Sequence, residues 1–314
     1  MQTEAGTTTF LPRPEELVTA TRELDRGRRS REEVDKLVTK WTGEVYRVED
    51  RLHFAWKTGG HLSWQDLFRP IIDSSDGMVA GALTRWFETN TFFRRPVIED
   101  LPRLRAGAFA QHLPPPEQRL ALILPGPWTF AGLAENRTGK DLTEVASALT
   151  TLLHDLTLEL LQKGVQHILL HEPLLAYADE VPEAELTQLY HSLTEGIAPE
   201  RFLIWTYFGD GSWLLPQASK LRVSGVGVDL AETPLSNLTR QPVPKGVTLG
   251  LGCIDSRTSL PEDPKDIQDV LQKIGEGARP ERVLLGPSSP LDLLPWETAV
   301  TKLSVLGEVL GRSG

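Results

Sequence analysis

HILLHEP, His167 to Pro173, is the stretch that decides the fold of this chain. Ile168, Leu169 and Leu170 suit a strand buried on both faces, but the run then ends in His171, Glu172 and Pro173. A strand interior has no use for an imidazole beside a carboxylate, since unpaired polar groups are costly to bury. A strand end that opens into a functional site does. Seven further apolar runs resemble it: TTTFL near residue 7, RLHFAW near 51, LALILPGP near 120, FLIWTYFGD near 202, GVGVDLAE near 225, GVTLGLGCID near 246 and RVLLGPSSP near 282. They are continuous rather than alternating, as parallel strands covered on both faces require.

Helical patterns fill the intervals. Ser30 and Glu33 form a capping box ahead of one helix, and Asp141 with Glu144 opens another whose leucines make a single stripe. Further helices are predicted from Pro182 to Glu195, Pro264 to Ile274 and Pro295 to Leu310. Eight strands alternating with helices over 314 residues predict a single (β/α)8 TIM barrel occupying residues 1–314. A doubly wound open sheet is the rival, and the absence of a G-x-G-x-x-G turn after the first strand counts against it. Residues 61–98, rich in aromatic residues and arginine, are expected to be an insertion after the second strand, capping one end of the barrel.

Composition narrows the function classes. A formal net charge of -10 argues against nucleic acid or an anionic membrane as partner. The apolar runs are too short to span a bilayer, and MQTEAGTTTFLPRP lacks the pattern of a signal peptide, so a cytoplasmic location is expected. The single cysteine, Cys253, excludes an internal disulfide and any zinc site built from several cysteines.

In a TIM barrel the C-terminal strand ends carry the chemistry. His171, Glu172, Asp229, Tyr207 and Asp210 stand at such ends as catalytic candidates, and Thr8, Thr9, Thr129, Asp255, Arg257, Ser288 and Ser289 as substrate-binding ones. Arg94 and Arg95, in the insertion, suit an anion clamp or a solvated edge. Each has a plainer reading: a histidine with a backbone partner, aspartates as helix caps, Arg257 paired with Asp255. No standard metal motif occurs; a makeshift site from His171, Glu172, Asp229 and Cys253 is the only metal alternative.

Taken together, TTTFLPRPEEL, HLSWQDLFRP, TRWFETNTFFRRPVI, LPGPWTF, HEPLL, TYFGD, GLGCIDSRT and LGPSSPLDLLPWETA resemble cobalamin-independent methionine synthase over nearly the whole chain. The wider barrel superfamily includes uroporphyrinogen decarboxylase. The resemblance implies two barrels related by duplication, with zinc and homocysteine in the C-terminal one and methyltetrahydrofolate between the two. TYFGD stands where the zinc-bearing half has its His-x-Cys pair, Asp229 lies near that half's glutamate, and Ser288-Ser289 replace its second cysteine. His171 replaces the aspartate of its D-E-P motif, and Gly59-Gly60 lack an acidic residue often found there. The chain therefore resembles the zinc-free N-terminal half. The resemblance implies methyl transfer, with methyltetrahydrofolate as donor, Arg94, Arg95 and Arg257 available to its carboxylates, and a separately encoded zinc-bearing barrel as partner. An independent enzyme using His171 and Glu172, or a non-catalytic ligand-binding barrel, are the rival expectations.

Overall fold

In the computed structural model, which describes residues 1–117, 120–177 and 181–311, the described strands fall into two sheets. They are β1 (Gln2–Ala5), β2 (Ser75–Arg85), β3 (Phe92–Leu104), β4 (Ala121–Pro125), β5 (Glu135–Asn136), β6 (His167–His171), β7 (Phe202–Trp205), β8 (Gly225–Asp229), β9 (Thr248–Ile254) and β10 (Arg282–Pro287). Seven of them form a parallel sheet in the order β1-β10-β9-β8-β7-β6-β4. The gap between β1 and β4 is closed by an eighth, rudimentary strand, in which Trp56 bridges Gly6 and Lys57 bridges Leu120. The Ala55 N–H donates to the Ala5 carbonyl and the Ala121 N–H to the Lys57 carbonyl. This is the expected (β/α)8 barrel.

Local sequence explains the return helices. Ser30 accepts from the Glu33 N–H and Glu33 returns the bond, starting the helix Arg31–Arg51. The Asp141 side chain accepts from the Glu144 N–H at the head of Leu142–Gln162, whose leucine stripe is buried. The other expected helices are Glu183–Leu193, Pro264–Gly277 and Trp296–Val309.

Two strands differ from expectation. The first is the more polar QTEA rather than TTTFL; Gln2 to Ala5 pair with Arg282 to Leu285, leaving Thr7–Thr9 beyond the strand end. The second is reduced to two bridges because the preceding helix runs to Arg51 and the chain then turns through Leu52 and His53, leaving only Trp56 of RLHFAW, with Lys57, in bridge pairing. The segment after it holds a protruding antiparallel hairpin, β2 with β3, joined by β5. Its second strand extends to Leu104, past the predicted boundary at 98, through a stretch whose Arg and Pro content masks strand periodicity.

Trp205 occupies the barrel interior and is fully buried. Two glycines on neighbouring strands make room for it. A Cβ on Gly227 would lie 2.1 Å from the indole, and one on Gly250 would lie 2.7 Å from it. Gly227→Ala is therefore expected to overpack the core and cost about 1–3 kcal/mol, seen as a lower midpoint in chemical denaturation.

Candidate functional site

Glu172 follows β6 and is completely buried. Its Oε1 accepts from the Trp128 N–H at 3.0 Å and from the Tyr190 hydroxyl at 3.1 Å. Its Oε2 accepts from the Thr129 N–H at 2.7 Å, and the Thr129 hydroxyl is a further donor to the carboxyl. Burial pushes the group up to about 7, against the pull of these donors. A Cβ on Gly126 would lie 2.2 Å from this carboxyl, so the turn needs glycine to admit it. With its acceptor positions filled, Glu172 clamps the fourth barrel strand to the helix Pro127–Leu133.

His171 is equally committed. Its Nε2–H donates to the Thr8 carbonyl at 2.9 Å, and Nδ1 accepts from the Tyr207 hydroxyl at 3.3 Å. A carbonyl can only accept, so this tautomer follows from its partner. Desolvation holds the imidazole down at about 4, and burial keeps the Tyr207 phenol well above its ordinary range. His171 and Glu172 thus stand together at the strand end, each held by several hydrogen bonds. Thr129 is spent on Glu172 and on the Leu174 N–H.

The other candidates separate in the same way. Asp229 is buried, its oxygens accepting from the Ala231 and Phe208 N–H groups, and desolvation raises its pKa. Asp210 caps Ser212 and accepts from the Asn237 amide. Asp255 accepts from the Arg257 backbone and from its guanidinium, which also pairs with Glu232 and lies 3.9 Å from Asp229. Three carboxylates surround the Arg257 guanidinium, so its charge is compensated within the protein. Ser288 accepts from the Ser256 N–H, and Ser289 meets the Ser256 hydroxyl. Thr8 and Thr9 are fully buried, with hydroxyls unpartnered among the described residues. Arg94 and Arg95 donate to the Gly81 and Leu133 carbonyls.

A cavity of about 760 Å3 opens instead between the loops after the first, second, fifth and eighth barrel strands and the hairpin tip. Of the expected catalytic residues only Tyr207 lines it, and none of the expected substrate-binding residues does. Aromatic rings form its wall in edge contact. Phe10 lies 5.1 Å from His61, His61 4.6 Å from Trp64, and Trp86 5.3 Å from Phe93. Polar groups that sequence reasoning missed also face it: Arg13, His61, Asp66 and Asp292. The signal was available, since PRPEEL and PLDLLPW directly follow strand ends. Asp66 is spent, accepting from the Phe68, Arg69 and Arg94 N–H groups and so tying the hairpin to the mouth. His61 accepts the Ile123 N–H at Nε2, at a backbone φ of +56°, and desolvation lowers it to about 3.

The zinc of the resembling family's C-terminal barrel does not fit these residues. Both nitrogens of His171 and the carboxyl of Glu172 are taken, and burial pushes the Cys253 thiol up to about 12. Among the described residues, no group of three or more His, Cys, Asp or Glu is placed to hold a metal ion, so the makeshift set His171, Glu172, Asp229 and Cys253 is corrected too.

A family model described as cobalamin-independent synthase, N-terminal domain, matches residues 63–279. Curated relatives called 5-methyltetrahydropteroyltriglutamate–homocysteine methyltransferase include one from Herpetosiphon aurantiacus, 28% identical over 70% of this chain and 30% of that protein. One from Bacillus licheniformis is 24% identical over 73% of this chain and 31% of that protein. The chain thus spans about a third of their length. Among solved structures, a B12-independent methionine synthase from Shewanella sp. W3-18-1, in complex with selenomethionine, superposes with a TM-score of 0.77 at 15% identity. The match covers 98% of both chains. A methyltransferase from Methanosarcina mazei gives 0.61 at 12% identity, over 98% of this chain and 94% of that one. Likeness at these identities concerns the fold.

The depressed histidines make stability depend on pH. In the unfolded chain an imidazole takes up its proton near 6.5, whereas folded His171 does so near 4. Stability is therefore present above 6.5 and lost as pH falls from 6.5 towards 4, by up to about 3 kcal/mol for this residue. Urea titrations across that window are expected to show the loss, and His171→Phe to reduce the slope by about one proton. A slope unchanged by the substitution would contradict the assignment.

Proposed function

The chain belongs to the family of cobalamin-independent synthase N-terminal domains, and from that premise we propose that it works in methyl transfer of the methionine-forming type, as the folate-side barrel. Methyltetrahydrofolate is the donor in this reading, and a separately encoded zinc-bearing barrel activates the homocysteine thiol. The names of the curated relatives support the donor and acceptor classes.

The observation that carries the proposal is the aromatic-walled cavity at the C-terminal mouth. About 760 Å3 is ample for a bicyclic pterin, and concave, mostly pre-formed sites of this size suit ligands of that class. Its walls offer ring faces for stacking, each contact being worth about 0.5–1.5 kcal/mol beyond its buried area. Moving a methyl group from a donor nitrogen to sulfur breaks a C–N bond, forms a C–S bond and leaves a proton to be placed on the nitrogen. The attacking species must be a thiolate, and the buried, satisfied groups at the fourth and sixth strand ends provide no base for it. Division of labour follows: this barrel binds and orients the donor, shields it from water, and receives the activated thiol from its partner.

Tryptophan fluorescence and calorimetry with 5-methyltetrahydropteroyltriglutamate test the donor half of the proposal, with saturable quenching expected. Mixing the protein with the separately encoded zinc barrel is expected to raise methionine formation above that of either alone. Absence of both binding and enhancement would end this reading.

A further inference from the structure

We propose that Asp292 is the carboxylate that reads a cyclic amidine edge, the ring N–H and exocyclic amine of a 2-amino-4-oxopyrimidine, and so determines which flat ligand the cavity accepts. This rests on the proposed reading of the cavity as the donor site, and names the group that recognises the donor's head.

Placement comes first. Asp292 lies in a short 3-10 turn, Leu291–Leu293, just after the eighth barrel strand. The turn is pinned across the mouth by the Leu291 N–H donating to the Phe10 carbonyl at 3.0 Å. The carboxylate is accessible from the cleft yet has protein around most of it, and burial raises it to about 6. Its own backbone N–H is a donor to it. Among the described residues no other hydrogen bond or ion pair holds it. Arg13 faces the same cavity and feels Asp292 electrostatically, yet among the described residues no ion pair joins them. An acid and a guanidinium that line one cavity without pairing keep hydrogen-bonding capacity for a ligand.

Chemistry selects the partner. A carboxylate and a cyclic amidine meet through two parallel N–H···O bonds, the same fork that joins arginine to carboxylates. The ring carrying that amidine is flat and aromatic, and rings already form the wall. Arg13 is the only lysine or arginine among the described lining residues, and it complements the 4-oxo oxygen of the same ring. Carboxylates make up the rest of the lysine, arginine and acidic residues of the lining, so a ligand that presents donors to Asp292 suits the field better than one presenting only acceptors.

Other ionisable groups facing the cavity are Glu15, Glu16, His61, Asp66, Tyr207 and Glu297. Glu16 is paired with Lys40, Asp66 is capped by three N–H groups, and Tyr207 stays protonated. His61 stays neutral down to about 3. Asp292 must be ionised to accept two N–H bonds, so affinity is expected to fall as pH drops through about 6.

The test measures dissociation constants between pH 5 and 8 for three probes: 5-methyltetrahydropteroyltriglutamate, its analogue with the 2-amino group replaced by methyl, and L-methionine. Wild type is expected to bind the parent at least about tenfold tighter than the analogue. Asp292→Asn is expected to lose about tenfold for the parent, little for the analogue, and the pH dependence through 6. Parent binding that ignores Asp292→Asn, or equal losses for parent and analogue, would overturn the inference while the folate reading stands. Asp292-dependent binding of L-methionine with none of the pterin would overturn the inference and the folate reading together. Binding of no probe would do the same.

Discussion

The mouth of this barrel is organised around a hydrogen bond that a regular barrel does not need. The second strand provides only the bridges at Trp56 and Lys57 before the chain turns away at Gly59 and Gly60. The third strand's Ala121 N–H still finds the Lys57 carbonyl, but two residues further on the Ile123 N–H has no strand beside it. His61 Nε2 accepts that N–H at 3.1 Å, standing in for the missing carbonyl. A buried backbone donor left unpaired costs about 1–3 kcal/mol, enough to outweigh an uncommon backbone angle at a non-glycine residue. The tautomer follows as well. An imidazole that accepts at Nε2 carries its proton on Nδ1, and it stays neutral because protonation would turn the acceptor into a donor.

That early departure of the chain makes the cavity. Residues 61–67 leave the barrel wall and face the loop after β1, so Phe10, His61 and Trp64 come into ring contact. The hairpin then folds over this gap, held by the Asp66 carboxylate on the Arg94 N–H and by the packing of Phe68 against Trp86 and Phe93. On the opposite side the strand ends are closed rather than opened. Glu172, His171, Asp229 and the serines spend their hydrogen bonds tying loops to strands. One half of the mouth is braced, and the other half is available.

Much of this was legible in the sequence, and the failures have physical causes. Continuous apolar runs identify parallel strands because both faces are covered, and Ser30–Glu33 and Asp141–Glu144 mark helix starts because the capping bonds are local. TTTFL was mistaken for the first strand because a buried loop at a barrel mouth is as apolar as a strand. QTEA was missed because its pairing with Arg282–Leu285 is a long-range property that local periodicity does not show. His171 and Glu172 stand at a strand end, as their sequence context implies, while the bracing contacts they make are not written in it. Sequence shows which groups are polar, not which partners satisfy them. Arg257 is the same case, since two of its three carboxylates lie on or just after another strand. Arg13 and Asp292 went unnoticed because they sit in loops, where the residue type alone suggests a solvated charge.

The split between a braced half and an open half follows from how a barrel distributes its strand ends. In a TIM barrel each strand end hands its residues to a separate loop, so one sector can change its chemistry while another keeps its shape. In the braced sector buried polar side chains must be satisfied. The cheapest partners are neighbouring backbone N–H groups, as Glu172 shows with Trp128 and Thr129. Such groups become braces and stiffen the rim. The sector with the cavity differs, for polar groups there remain unpaired among the described residues. Arg13 and Asp292 both face the cavity, and among the described residues no ion pair joins them.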